Sequence, residues 1–327
     1  MSARDQTSRT ASLADLASPS WFVDPAASSL WVCCYQVVRT APKLRDAAPH
    51  QIDLNLVRAV LFHGTFPHTK IRDPEFTVEQ DIPTFAISNV SNEHAPKGDY
   101  LFLLTPHTID GVPGVEEDTK SRLATAAGLL ASVFGRNVIY RRYHEMVLNL
   151  RDGSASYFTP VLENPAWFPE VDTRPIRVRM PEQLSAAIQA QSSNDRNRIE
   201  LSLRWFERSL FDGGVDSFLQ AWIAIESLAM PETDVRPVVE LMARAYELPY
   251  DEAVSRFSIG RLQGLRSRIV HKGQIVPIDA NLMRYLEALY VDCLYATIGL
   301  PTERRSDIVR TAAEFDLSKY LHERGGG

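Results

Sequence analysis

The chain has 327 residues and a mass of 36.8 kDa, enough for about two domains, and its 45% hydrophobic and 23% charged residues are those of a globular protein that buries a core. A formal net charge of -6 excludes a polybasic nucleic-acid coat and leaves any phosphate contact to a local patch. Three cysteines, with Cys33 and Cys34 adjacent and Cys293 far away, make neither a disulfide framework nor a metal-ligand spacing, so secreted disulfide scaffolds and zinc ribbons are excluded.

Residues 1–20 are aperiodic, rich in Ser, Ala, Asp and Arg, and lack the apolar core of a secretory signal; they read as a mobile tail. From 21 to 168 the texture is mixed. Short apolar runs at Trp31–Val38, Pro83–Ser88, Tyr100–Leu104 and Ser156–Val161 read as strands between turn clusters such as Arg151-Asp152-Gly153-Ser154. One helix is expected from Glu116 to Phe134, with Asp118 and Thr119 as cap candidates and Gly135 as its stop. The longest mostly apolar run, Leu123 to Gly135, lies between Arg122 and Arg136 and is too short to cross a bilayer. Residues 21–168 are therefore expected to form an α+β domain, and the chain to be cytoplasmic, with no membrane contact.

Four prolines between Pro165 and Pro181 deny both helix continuation and ladder hydrogen bonds, so 169–184 reads as a linker. Beyond it the period changes to helical. Ile199, Leu203, Phe206 and Leu210 recur on one stripe, closed by Asp212-Gly213-Gly214. Further helices are expected at Asp216–Ala229, with Phe218, Trp222, Ile225 and Ala229 on one stripe, at Val235–Leu248, from near Asp251, and over Leu282, Leu286, Leu289, Cys293 and Leu294. Residues 185–302 thus read as an all-α bundle and 303–327 as an extension.

Chemistry concentrates in 253–278. This stretch carries Arg256, Arg261, Arg266, Arg268 and Lys272 and no carboxylate, inside a region (185–300) with 12 basic residues against 15 acidic ones. A solvated helix face accounts for most basic runs. Here Arg268 and Lys272 stand at i,i+4, a like-charge spacing that costs stability unless an anion lies between them. The charges also interleave with core positions Leu262, Leu265 and Ile269, so the same helix must pack while presenting them. An island of this kind suits phosphate.

His271 is the group of the island that titrates near neutral pH. It falls in the last helical turn, ahead of Gly273 as the C′ residue, where it could equally well cap carbonyls. Arg266 lies five residues earlier, about 140° round an ideal helix, so the two share no stripe. Glu226 is the other anomaly, a carboxylate in the nearly apolar AWIAIESLAM. It is expensive there unless paired, and an arginine of the basic helix is the nearest candidate. In the first domain His63, His68, His94, His107 and His144 offer an alternative seat of enzymatic function, but His63 and His68 share no helix face and match no ligand motif.

The spacing of AWIAIESL followed by GRLQGLRSRIVHKG resembles the HEPN superfamily, specifically its Apea-like branch. The family's signature of arginine, polar residue, three positions and histidine falls on Arg266, Ser267 and His271, and its acidic helix on Ala224-Ile225-Glu226. The resemblance covers roughly residues 185–300. Lys272-Gly273 follows the histidine where toxins paired with nucleotidyltransferases carry a tyrosine two positions on, so the likeness is not to that branch.

The resemblance implies a HEPN-type bundle and a metal-independent endoribonuclease without cofactor, working as a homodimer through the C-terminal bundle. Catalytic roles then fall to Arg266, His271, Ser267 and Glu226, and RNA binding to Arg256, Arg261, Arg268 and Lys272. It also implies a part in antiviral defence. The competing expectation is a non-catalytic RNA-binding or sensory HEPN module that serves the first domain.

Overall fold

A computed structural model of the protein describes residues 29–37, 50–65, 97–108, 114–135, 141–149, 155–157, 179–230 and 234–302. The tail 1–20, the expected strand Pro83–Ser88, the positions of His68 and His94, most of the proline-bearing segment and the extension 303–327 lie outside the described residues. What is described is an antiparallel sheet and eight helices, divided between two compact units.

The first unit is a six-stranded sheet in the order β2-β3-β4-β1-β5-β6. Its strands are β1 (Ser29–Val37), β2 (His50–Leu54), β3 (Val57–Thr65), β4 (Lys97–His107), β5 (Arg141–Asn149) and β6 (Ala155–Tyr157). All pairings are antiparallel. β1 is central and buried on both faces: Trp31, Cys33 and Tyr35 on one, Leu30, Val32 and Cys34 on the other. That is why it reads as an unbroken apolar run instead of an alternation. The three cysteines of the chain are free and buried. Burial and its neighbour Cys33 push the Cys34 thiol well above its ordinary value, as expected of inert core thiols.

Two parts of the sheet escape the sequence patterns. The β2–β3 hairpin turns through Asn55 in a left-handed conformation (φ 52°), with Asp53 and Arg58 paired across it at 2.7 Å. The Leu56 carbonyl accepts from the Thr105 hydroxyl at 3.0 Å, which ties the turn to β4. β5 (RRYHEMVLN) is largely polar and shows no alternation. The expected strand at Ser156–Val161 is present only as the short β6 among the described residues.

Helix α1 runs Val115–Phe134 and stops at Gly135, φ 81°. Asp118 and Thr119 are not its caps, because the helix begins earlier: the Asp118 amide already bonds the Gly114 carbonyl. Thr119 instead meets His107 Nδ1 at 3.2 Å, and Lys120 stands 5.4 Å over the Trp31 ring. The first turns of α1 belong with the sheet, while residues from Ala124 belong with the helical unit. Gly128 explains the latter. A Cβ there would lie 2.2 Å from the Leu203 carbonyl oxygen, so only glycine lets the two backbones meet.

The second unit holds α2 (Met180–Gln189), α3 (Ser193–Ser209), α4 (Gly214–Ala229), α5 (Arg236–Tyr246), α6 (Tyr250–Phe257), α7 (Ile259–Lys272) and α8 (Ala280–Thr297). α2 corrects the linker boundary at 184. Pro181 sits in the first helical turn, where a missing N–H costs nothing. α8 is apolar almost all round and forms the axis of the core; the Tyr290 ring stacks on Phe206 at 4.2 Å and its hydroxyl meets Ser202 at 3.0 Å. α3 and α4 pack against each other, with Phe206, Phe218 and Trp222 buried and the Ser217 hydroxyl of α4 donating to the Ser209 carbonyl of α3 at 2.7 Å.

Candidate functional site

α4 and α7 supply the expected site residues. Trp222 and Glu226 are one turn apart on α4, and Trp222 is fully buried. Its indole N–H donates to Glu226 Oε1 at 2.7 Å, which satisfies a donor that the core would otherwise strand. The same oxygen faces Arg266 Nε of α7 at 3.5 Å, with the Glu226 side chain 19% exposed and that of Arg266 26% exposed. The expected partnership of Glu226 with the basic helix is therefore present. At 3.5 Å it is an ion pair longer than a charge-assisted hydrogen bond, so the guanidinium is steered and not clamped.

Arg198 of α3 buttresses the end of α4. Its guanidinium donates to the carbonyls of Ser227 and Leu228 at 3.4 and 3.1 Å, satisfying acceptors that the helix terminus leaves open. Glu226 thus sits on a helix end held from two sides. Neither support was singled out from sequence. Trp222 had a usable signal, its i,i−4 spacing to the carboxylate, whereas Arg198 reaches α4 through tertiary packing alone.

The basic stretch is two helices and not one. α6 ends at Ser258, whose left-handed backbone (φ 51°) breaks the run, and the buried Tyr285 hydroxyl donates to the stranded Phe257 carbonyl. Arg256 therefore belongs to α6. It pairs with Glu252 at 3.1 Å across one turn, so it is not an uncompensated charge as expected. α7 starts at Ile259 and buries Leu262, Leu265 and Ile269, with Arg266 and Arg268 at half-buried positions and Arg261, Ser267, His271 and Lys272 exposed. It ends at Gly273, φ 62°, whose amide bonds the Arg268 carbonyl. His271 is in that last turn, on solvent.

On the outer face of α7, Gly260, Gly264, Ser267 and His271 follow one another at near-helical spacing, all exposed, with Val270 exposed beside them. A Cβ on either glycine would meet nothing within 4 Å. Arg266 and His271 are separated by about 140° and about 7.5 Å along the helix, so one protomer does not bring them together. What it does bring together is Trp222, Glu226 and Arg266. The two donors, the indole N–H and Arg266 Nε, converge on the same carboxylate oxygen, Glu226 Oε1.

Elsewhere, His107 is half-buried and bonded to Thr119, while His63 and His144 lie on β3 and β5. Among the described residues no group of three or more His, Cys, Asp or Glu is placed to hold a metal ion, and no helix is long and apolar enough to cross a membrane. No protein-family model, no curated protein and no solved structure matches the chain.

Proposed function

We propose that the helical unit is a HEPN-type, metal-independent endoribonuclease that acts as a homodimer through α7. The observation that carries this reading is the state of Arg266. Its Nε is steered by a carboxylate fixed to the core, and it stands on a carboxylate-free helix that ends in an exposed histidine. A planar fork aimed by a rigid neighbour is suited to bidentate phosphate binding.

In this reading the η nitrogens of Arg266 hold the scissile phosphate and stabilise the charge of the phosphorane. The 2′-OH of the preceding ribose is the nucleophile, and His271 exchanges a proton with the reacting oxygens. Ser267 donates a hydrogen bond to the phosphate, and Arg261, Arg268 and Lys272 hold the flanking backbone. Arg256 joins them only by exchanging Glu252 for phosphate. The open space over Gly260 and Gly264 admits a second α7 at close approach, as small residues do at helix crossings. A facing copy supplies the His271 that Arg266 lacks within its own protomer.

The test is cleavage of labelled RNA by the purified full-length protein in EDTA. Cutting should persist, leave 2′,3′-cyclic phosphate ends, fail on a substrate with 2′-deoxyribose at the scissile position, and vanish in Arg266→Ala and His271→Ala. Cleavage that EDTA stops, or a deoxy substrate cut as fast as RNA, would overturn the mechanism. RNA that is bound but never cut would instead identify a non-catalytic binding module.

A further inference from the structure

The helical unit carries a second basic face, on α3, apart from the stretch on α6 and α7. Asn194, Asn197, Leu201, Trp205 and Arg208 recur there at helical spacing, all exposed except the half-buried Trp205. No carboxylate falls on this face. Asp195 accepts from the Ser192 hydroxyl at 2.7 Å at the start of the helix, Glu207 is buried, and Glu200 lies about 100° round the helix from Leu201. In a chain of formal net charge -6, a helix face free of acids over about 21 Å attracts anions locally.

The chemistry of the face selects among anions. The Arg208 guanidinium lies over the Trp205 ring, 5.1 Å from its centroid. This pair sets a planar cation, backed by an indole, at an exposed position. Flat π systems stack on such planes, while the guanidinium edge donates to phosphate oxygens. A nucleotide uses both properties at once; an acidic peptide would use the charge alone. A duplex hides its base faces, so the base that stacks must be unpaired.

The face also runs on from the candidate site. Arg198, on its flank, donates to the Ser227 and Leu228 carbonyls at 3.4 and 3.1 Å, in the turn of α4 that follows Glu226. From Arg198 to Arg208 α3 rises about 15 Å, the reach of a few nucleotides.

We propose that this face of α3 binds an unpaired stretch of RNA, with a base stacked on the Arg208–Trp205 pair and a phosphate on Arg208. The proposal deepens the ribonuclease reading and rests on it for RNA as the polymer.

The experiment measures binding of a labelled oligoadenylate of about 12 nucleotides, and of an RNA duplex of the same length, to the full-length protein. His271→Ala serves as the background, so that the RNA stays whole. Trp205→Ala should weaken oligoadenylate binding about 10-fold or more and leave duplex binding nearly unchanged, while Trp205→Phe, which keeps a ring, should stay within about 3-fold of the background protein. Arg208→Gln, at an exposed position where the fold is safe, should weaken binding and lower the slope of log affinity against log salt by about 0.7. With His271 restored, Trp205→Ala should raise KM for long RNA at unchanged kcat. A dinucleotide, too short to reach α3, should be cut as by wild type.

The proposal is overturned if Arg208→Gln and Trp205→Ala bind oligoadenylate as tightly as the background protein, if Trp205→Phe loses as much as Trp205→Ala, or if the dinucleotide is slowed as much as long RNA. RNA that is bound with these losses but never cut removes the ribonuclease reading and leaves the α3 face standing. RNA cut by wild type and by both α3 variants with equal KM removes the face and leaves the ribonuclease.

Discussion

Replacing Glu226 by alanine tests whether the carboxylate belongs to the core or only to the surface. The change removes the acceptor of the Trp222 indole N–H, which is buried at 0% exposure. Stranding such a donor costs about 1–3 kcal/mol. The 3.5 Å ion pair with Arg266 adds less, about 0.5 kcal/mol, because both side chains are part-exposed and solvent screens them. A loss of about 2–3 kcal/mol lowers the melting temperature of a helical unit of this size by about 5–10 °C.

The partner change, Trp222→Phe, keeps most of the packing and removes the donor, so it should cost about 1–2 kcal/mol on its own. The decisive quantity is the double variant. With no indole N–H left to strand, Trp222→Phe made on top of Glu226→Ala should add almost nothing, a coupling of about 1–2 kcal/mol in the double-mutant cycle. Calorimetric or denaturant unfolding of the four proteins measures it. Additive costs would mean that the indole finds water when Glu226 is gone, and that the site is wet and loosely held instead of rigid.

Gly128→Ala should lower stability by more than about 3 kcal/mol in the same melts, since its Cβ would lie 2.2 Å from a backbone oxygen that cannot swing aside. Gly264→Ala should do the reverse in the monomer, gaining about 0.5–1 kcal/mol of helix stability because nothing stands within 4 Å of the added carbon. If a second α7 crosses there, sedimentation should nonetheless show weaker dimerisation; an unchanged dimer would place the interface elsewhere. Burial holds the His107 imidazole below its ordinary value, Arg122 adding to this and Glu116 opposing it. The unfolded chain therefore binds the proton more readily, so stability present above about pH 6.5 should decline as pH falls through that value. His107→Gln should flatten this slope in melts between about pH 7.5 and 5.5; equal slopes would refute it.

Local periodicity made much of this protein legible. β1 was visible as a run of apolar residues, α1 as a helix closed by Gly135, and α3, α4, α5 and α8 as stripes of residues such as Phe218, Trp222 and Ile225. These patterns report which face of an element must leave water, and that demand is written in neighbouring residues. Glu226 was legible for the same reason, as a carboxylate in an apolar stretch, and Arg266 and His271 as members of a basic run without a carboxylate.

Other features depended on partners distant in the chain. α2 was hidden because a proline reads as a breaker until its place in the first turn is known. The β2–β3 hairpin and the polar β5 exist because β4 and β1 offer them edges to pair with, from well outside any local window of sequence. The split of the basic stretch at Ser258 is held by Tyr285 from another helix. The Arg198 brace and the reach of Glu226 Oε1 to Arg266 are likewise tertiary facts, whereas the Arg256–Glu252 and Trp222–Glu226 pairs lie one turn apart on their own helices. Residue order specifies which groups must be buried or paired; only the folded chain decides with whom, because a hydrogen bond needs its two atoms within about 3 Å.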